Sequence, residues 1–132
     1  MMHRAAGAFD VTLTPVAPAA GEAAFPARMA LAKRFHGDLD ATSEGVMLAA
    51  MTDVKGSAGY VAIERVTGTL HGRAGSFVLQ HSGTMARGEG ATLVTVVPDS
   101  GTGALAGVSG RMAIVVEGRA HRYDFAYELP EA

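Results

Sequence analysis

Hydrophobic and polar residues alternate with a period of two along most of this chain, which is typical of β-strands. The longest such stretch, residues 56–85, reads as two strands, Tyr60 to His71 and Ser76 to Met85. Between them, Gly72 and Gly75 predict a short hairpin turn, because glycine tolerates positive φ. Two strands bury too little surface to be stable alone, so this hairpin is expected in the middle of a larger sheet.

The same alternation predicts six further strands, at Ala8–Thr14, Ala27–Leu39, Ala41–Thr52, Ala91–Val97, Leu105–Glu117 and His121–Leu129. The 41–52 segment is also rich in helix formers, but its position between strands favours a strand. Pro15 is expected to end the first strand, and residues 15–22 to form a mobile loop. Eight strands with short connections predict an all-β fold, an eight-stranded antiparallel up-and-down β-barrel, since closure removes exposed strand edges.

The composition fits one small barrel. A chain of 132 residues is long enough for a single core, so we expect one domain, 1–132, with core strands over roughly 7–129. The 48% hydrophobic and 18% charged residues exclude a disordered chain. The 17 glycines suit the turns, bulges and coiled strands of a barrel.

Charge and cysteine content narrow the expected partners. The net charge of −2, with basic residues scattered along the chain, predicts no nucleic-acid partner. The absence of cysteine excludes disulfides, thiolate metal sites and cysteine nucleophiles, and fits a reducing compartment. No apolar run has the length of a secretory signal or a membrane span, so we expect no membrane association and a cytoplasmic location.

Two charged residues lie in the middle of predicted strands among apolar neighbours of the same face. Lys33 follows Met29 and Leu31, and Glu64 lies between Ala62 and Val66. If both face the barrel interior they meet as a buried pair with perturbed pKa values, the usual mark of a proton-transfer site. The alternatives are a structural ion pair and two side chains that extend outward to solvent.

His81 is the best single candidate for a general acid or base, because histidine titrates near neutrality. A hydrogen-bonded core histidine is the alternative. The expected ligand contacts are Tyr60, Phe77, Gln80 and Tyr123. For Gln80 an outward position in a dimer contact serves equally well, and Tyr123 belongs to an aromatic stripe that also suits a core or dimer surface.

No cofactor or metal is expected. The five histidines never occur at the short spacings typical of metal sites. The loop Pro98-Asp99-Ser100-Gly101-Thr102-Gly103 lacks the lysine and following helix of a phosphate-binding loop, and a turn held by Asp99 explains it.

Four motifs carry a family resemblance. They are Lys33-Arg34-Phe35-His36-Gly37-Asp38-Leu39, Gly56-Ser57-Ala58-Gly59-Tyr60-Val61-Ala62, Gln80-His81-Ser82-Gly83 and Val97-Pro98-Asp99-Ser100-Gly101-Thr102-Gly103. Over roughly Gly7 to Leu129 the chain resembles a bacterial family of stand-alone domains of unknown function with an allene oxide cyclase-like β-barrel. The resemblance implies that barrel fold and a homodimer, and it implies no residue roles.

Three functional hypotheses remain from the sequence. In the first, the barrel lumen binds a small apolar or amphipathic molecule, because polar groups set singly into apolar strands are typical of a ligand pocket. In the second, the lumen belongs to a cofactor-free isomerase or cyclase in which Glu64, Lys33 or His81 transfers a proton. In the third, a solid barrel acts as an interaction module.

Overall fold

The computed structural model describes residues 2–18 and 25–130, which contain strands and no helix. The strands are β1 (His3–Val16), β2 (Ala27–Phe35), β3 (Leu39–Met51), β4 (Ala58–Leu70), β5 (Arg73–Ala86), β6 (Glu89–Val96), β7 (Thr102–Gly103), β8 (Ser109–Glu117) and β9 (Ala120–Glu128). With no helix in these ranges, none has the length and apolarity needed to cross a membrane.

Eight of the strands close into an antiparallel barrel in the order β4-β3-β2-β1-β9-β8-β6-β5, and β5 pairs back with β4. Chain neighbours are sheet neighbours, except that the two-residue β7 lies between β6 and β8 in sequence and pairs with β5. The predicted eight-stranded up-and-down barrel is therefore confirmed. The 41–52 segment is a strand, as its position between strands indicated.

Pro15 does not end β1, which continues to Val16, and this prediction was wrong. Residues 3–9 of β1 pair with β9 on one side and lie beside β2 or the turn after β2 on the other. Residues 10–16 pair with β2 alone. One side of β1 therefore needs no backbone donor at Pro15, and proline is tolerated there. The predicted loop is limited to residues 17 and 18 in the described chain, and its remainder, residues 19–22, lies outside the described residues.

The predicted start of the seventh strand at Leu105 was also wrong, because β8 begins at Ser109. Residues 105–108 form a turn in which the N–H of Val108 donates to the carbonyl of Leu105. Leu105 and Val108 are nonetheless almost fully buried, since the turn packs them against the barrel core. The spacing of these apolar residues resembles that of a strand, but it arises because a loop is buried against the core.

Side chains of one parity in each strand point inward and form the core. At one end of the barrel, which we call the closed end, they pack as a continuous cluster. It contains Ala5, Phe9, Phe35, Leu39, Ala41, Val66, Leu70, Phe77, Leu79, Val94, Val96, Leu105, Val108, Met112, Tyr123, Phe125 and Tyr127. The rings of Phe77 and Phe125 stack at 5.6 Å between centroids, so aromatic packing fills the barrel here.

Two-residue turns at the hairpin ends use residues with positive φ. In the turn between β4 and β5, His71 and Gly72 have φ of 48° and 78°. Positive φ at both central positions is the geometry of the hairpin turn that matches strand twist. The glycine-based prediction of a hairpin was right, with His71 and not Gly75 as the second positive-φ residue.

Tyr123 fixes the turn between β2 and β3 at the closed end. Its hydroxyl accepts a hydrogen bond from the Leu39 N–H at 2.9 Å and donates to the His36 carbonyl at 2.7 Å. Gly7 leaves the space, because a Cβ there would lie 2.8 Å from the Tyr123 hydroxyl and 2.1 Å from the His36 carbonyl oxygen. The tyrosine therefore serves the backbone of the turn.

We expect Tyr123→Phe to lower the free energy of unfolding by about 1–3 kcal/mol, because it leaves the buried Leu39 N–H without a partner. Tyr127→Phe is the matched control: its hydroxyl bonds the half-exposed His71 ring, and water can replace that bond, so the loss should stay below about 1 kcal/mol. Urea titration measures both. Equal losses for the two variants would contradict the assigned role of Tyr123.

Candidate functional site

Four polar side chains meet inside the barrel, each from a different one of four neighbouring strands. They are Lys33 on β2, Ser43 on β3, Glu64 on β4 and His81 on β5. All four have inward parity and are buried, with Glu64 fully inaccessible and His81 only 4% exposed. We call these residues the polar cluster. Buried polar groups require partners, and here the partners are one another.

The strand register brings the cluster together. Lys33 lies opposite Ser43 between β2 and β3, and Ser43 lies opposite Val66, two residues from Glu64, between β3 and β4. Glu64 lies opposite Leu79 on β5, so His81 is its diagonal neighbour on the same face. Gly45, directly opposite Glu64, has no room for a side chain, since a Cβ would lie 2.0 Å from the Ile63 carbonyl oxygen.

Glu64 accepts a hydrogen bond from each of the other three. Its Oε1 is 2.8 Å from Lys33 Nζ and 2.5 Å from His81 Nε2, and its Oε2 is 2.5 Å from Ser43 Oγ. A carboxylate only accepts hydrogen bonds, so Nε2 of His81 carries the hydrogen. The Lys33 ammonium also lies 5.0 Å from the centre of the Phe9 ring, at the distance of a cation–π contact.

The environment keeps Glu64 ionised. Burial alone would raise the pKa of this carboxyl group, but the hydrogen bond from His81, the charge of Lys33 and the hydrogen bonds from Lys33 and Ser43 together outweigh burial. The pKa is lowered from 4.5 to about 2. The cluster is therefore a buried ion pair of Lys33 and Glu64 with two further donors on the same carboxylate.

The barrel interior changes character beyond the polar cluster. Toward the end where β1 and β3 finish, which we call the open end, Leu31 and Ala62 are still buried, but the other large inward side chains are partly buried or exposed. They include Met29, Met47 and Tyr60, and also Leu13, which is 43% exposed. Val11 and Ile114 are partly buried and pack against the cluster of the closed end. The polar cluster thus lies between the packed end of the interior and an end whose apolar lining is partly accessible.

Two polar atoms at this boundary have no protein partner among the described residues. Neither Nδ1 of His81 nor the Tyr60 hydroxyl makes a hydrogen bond within residues 2–18 and 25–130. In the same residues, no enclosed side-chain nitrogen or oxygen is left without a hydrogen bond. His81 is nonetheless almost fully buried, whereas Tyr60 is partly buried and lines a groove at this end of the sheet. Burial raises the pKa of Tyr60 above its ordinary value, so its hydroxyl remains a donor.

Of the residues expected from the sequence, Lys33, Glu64 and His81 come together in this cluster, and Tyr60 lies beside it. The Tyr60 ring covers Gly83, where a Cβ would lie 2.3 Å from the ring. Gly83 is two residues from His81 on the same face of β5. Ser43 was not expected from the sequence as a member of this site. A hairpin that turns at residues 37–40 nevertheless places it opposite Lys33.

The other three expected ligand contacts, Phe77, Gln80 and Tyr123, lie away from the polar cluster. Phe77 stacks on Phe125 within the closed end, and Tyr123 there uses its hydroxyl on the backbone. Gln80 has outward parity on β5 and is exposed, so it cannot line the interior. Parity could not be assigned from sequence, because both faces of the strands are mixed.

Glu64→Gln should destabilise the protein by about 3 kcal/mol or more at neutral pH, because it leaves Lys33 charged and buried without its counter-ion. Glu44→Gln, on the exposed face of β3, is the control and should stay within about 0.5 kcal/mol of the wild type. Chemical denaturation measures both changes. Loss of stability below 1 kcal/mol for Glu64→Gln would contradict the ion-pair assignment.

Stability should also depend on pH through Glu64. Its pKa is lower in the folded protein than its ordinary 4.5, so its contribution is present above that value and is lost as the pH falls from 4.5 toward 2. The shift corresponds to on the order of 3 kcal/mol. Denaturation at a series of pH values should show this loss in the wild type and a correspondingly smaller loss in Glu64→Gln, whose amide does not titrate. Equal acid sensitivity of the two would assign the effect to other carboxyl groups.

The comparisons with known proteins concern the family. Residues 5–127 match the DUF3224 family model, described as a protein of unknown function. A DUF3224 protein of unknown function from Shewanella oneidensis MR-1, solved by crystallography, is 51% identical to this chain, with a TM-score of 0.91 over 100% of both chains. No curated protein matches the chain. The allene oxide cyclase likeness stays a prediction, and the match over residues 5–127 shows that this chain belongs to the DUF3224 family.

Proposed function

We propose that the open end of the barrel binds a small amphipathic molecule. The observation that carries this proposal is the partly accessible apolar lining of the open end, with Leu13, Met29 and Met47 at inward positions, next to Tyr60 and the polar cluster. Small-molecule sites combine an apolar lining with a few convergent polar groups that orient the ligand. An eight-stranded barrel has an interior wide enough for one small ligand.

The packed half of the barrel limits where this ligand lies. Aromatic and aliphatic side chains fill the closed end up to the polar cluster, so a ligand occupies only the space on the other side. The hydrogen bond to Glu64 holds the His81 ring by Nε2 at the boundary of that space. A ring held in this way keeps its orientation before a ligand arrives, which reduces the ordering cost of binding.

A proton-transfer isomerase or cyclase remains the second candidate. It is favoured by one specific observation, the carboxylate of Glu64 on Nε2 of His81, which is the arrangement that fixes the tautomer of a histidine base. Plain binding needs no chemistry of His81, whereas an isomerase needs Nδ1 as the proton acceptor. A bound molecule that wild-type protein converts and His81→Gln protein does not would decide for the enzyme.

Native mass spectrometry of the protein from its own host should show a bound small molecule, identified after denaturing extraction. Met47→Trp should remove this molecule, because Met47 has inward parity and the larger ring fills the open end. Thr42→Trp places the same ring on the outer face of the same strand, and should leave the bound molecule in place. An empty wild-type protein, or equal occupancy in both variants, would contradict the proposal and favour a solid interaction module.

We also propose that two copies associate through the outer face of β3 and β4. Val46, Val61, Ile63 and, on β6, Leu93 form an outward apolar patch, and each side chain is about half exposed. A groove of about 710 Å³ with a mainly apolar lining lies at the same end of β3–β6, and its lining includes the outward Leu48, Val61 and Leu93 together with the inward Tyr60 and Gly83. Contiguous apolar surface of this kind is typical of interaction sites.

A second copy is the occupant because the charges beside the patch are self-complementary. Glu44 and Arg65 lie opposite one another in register, next to Val46 and Ile63, and both are exposed. A two-fold axis through the patch places Glu44 of one copy near Arg65 of the other, so that two such ion pairs form.

The expected cytoplasmic location stays a prediction.

Ile63→Glu should convert the protein to a monomer, because it places two like charges within the apolar contact around the axis. Thr12→Glu, on the exposed face of β1, is the control and should not change the mass. Light scattering after size exclusion measures the mass of each protein. A wild-type monomer, or a dimer that persists in Ile63→Glu, would contradict this interface.

A further inference from the structure

We propose that a cavity at the mouth of the closed end binds a small organic carboxylate, held by the guanidinium group of Arg73 and the ring of His3. The cavity has a volume of about 320 Å³, and its lining consists of His3, His71, Arg73, Tyr127 and Leu129. This volume is at the lower end of the range for small-molecule sites. The cavity lies at the opposite end of the barrel from the open end, so the inference is independent of the binding function proposed above.

Separate parts of the chain bring these side chains together. His3 begins β1 and lies directly opposite Tyr127 on β9, with the two ring centroids 5.3 Å apart. His71 lies in the turn between β4 and β5, and Arg73 begins β5. A hydrogen bond between His71 and Tyr127 joins the two regions. The cavity therefore lies where the β4–β5 hairpin meets β1 and β9 across the mouth of the barrel.

One wall of the cavity is held in place by contacts at both nitrogens of His71. Nδ1 shares a hydrogen bond with the hydroxyl of the buried Tyr127. Nε2, on the other side of the ring, lies 3.7 Å from Oδ2 of Asp38, and that oxygen also accepts a hydrogen bond from the Ala6 N–H at 2.9 Å. Asp38 thus lies behind the ring and outside the lining. A wall that is fixed before the ligand arrives lowers the ordering cost of binding.

Two side chains of the lining have donors to offer a ligand. Within residues 2–18 and 25–130, neither the guanidinium of Arg73 nor the ring of His3 makes a hydrogen bond or an ion pair. A guanidinium is always charged, and its planar fork of N–H groups matches the two oxygens of a carboxylate. A histidine ring carries at least one N–H in every protonation state. The described residues that line the cavity include no carboxylate to compete for these donors.

The surrounding charges favour a ligand with a single negative charge. Burial raises the pKa of Tyr127, and although the charge of Arg73 opposes this effect, the phenol stays neutral. The carboxylate of Asp38, on the far side of the His71 ring, would repel a second negative charge. A monocarboxylate therefore matches the charge of Arg73, whereas a phosphate ester carries close to two negative charges at neutral pH.

The rest of the lining suits an apolar body on the ligand. Leu129 and the ring carbons of His3 lie beside the two donors. An organic body buries apolar surface against them, which an inorganic anion does not do. A compact molecule such as benzoate uses both parts of the cavity, with its carboxylate on Arg73 and its ring toward Leu129.

The experiment titrates isotopically labelled full-length protein with benzoate, benzyl alcohol and inorganic phosphate at neutral pH, where benzoate is ionised. Nuclear magnetic resonance follows the backbone amides: those of Arg73 and Tyr127 report this cavity, and that of Met47 reports the open end. We expect benzoate to shift the Arg73 and Tyr127 amides and to bind about fivefold or more tightly than benzyl alcohol, which has the same ring and no charge. Phosphate should bind more weakly than benzoate.

Three variants test the contacts. Arg73→Gln removes the charge and keeps a polar side chain, so benzoate should bind no more tightly than benzyl alcohol. Arg111→Gln makes the same change on the exposed outer face of β8 and should leave the affinity unchanged. His3→Phe keeps a ring against Tyr127 and removes the N–H, so benzoate should bind several-fold more weakly. Amide spectra without ligand establish that the variants are folded.

Other results would overturn the inference. Equal affinities for benzoate and benzyl alcohol, or benzoate shifts at Met47 alone, overturn a carboxylate site in this cavity. Unchanged benzoate affinity in Arg73→Gln or in His3→Phe overturns the assignment to these two side chains. Phosphate that binds more tightly than benzoate at the Arg73 and Tyr127 amides overturns the carboxylate in favour of a phosphate group.

Discussion

The structure depends on one buried carboxylate. Glu64 is fully inaccessible in the middle of β4, and a charge there is strongly unfavourable unless other groups compensate it. The compensation comes from three neighbouring strands at once: Lys33, Ser43 and His81 each donate to it. A shift of one residue in the register of any of these strands turns a donor outward, so the polar cluster selects the register of half the barrel.

The selection of strand register must be weighed against what a buried ion pair contributes to stability. Replacement of a buried ion pair by apolar residues of similar volume is often neutral or stabilising, so stability alone does not explain why Lys33 and Glu64 are charged. The closed end is already packed with apolar and aromatic side chains that exclude water. The cluster lies where that packing ends, and the Glu64 carboxylate holds the histidine ring by Nε2. This position supports the recognition role proposed above.

Much of the fold could be predicted from the sequence, because period-two alternation and glycine turns are local signals. They indicated eight strands and the closed barrel, and they failed where a tertiary cause acts: Pro15 continues β1 because one side of that strand is unpaired, and Leu105 is buried in a loop. The pairing of Lys33 with Glu64 could also be expected, as two charges among apolar neighbours. The inward parity could not, since β4 and β5 carry mixed residues on both faces, and the role first considered for Gln80 depended on it. Phe77 and Tyr123 do point inward, but they lie in the packed closed end.

The two tyrosines that the sequence placed together as ligand contacts show why parity alone is insufficient. Tyr60 and Tyr123 both have inward parity, yet the Tyr123 hydroxyl is used by the backbone of a turn, whereas Tyr60 is partly buried and lines a groove at the end of β3–β6. The difference arises from distance along the barrel axis. Tyr123 lies beside Gly7, where the β2–β3 turn comes close, and Tyr60 lies over Gly83 at the opposite end. In each case a glycine without a side chain makes room for the ring, so glycine positions on the inner face decide where along the barrel axis each tyrosine ring lies.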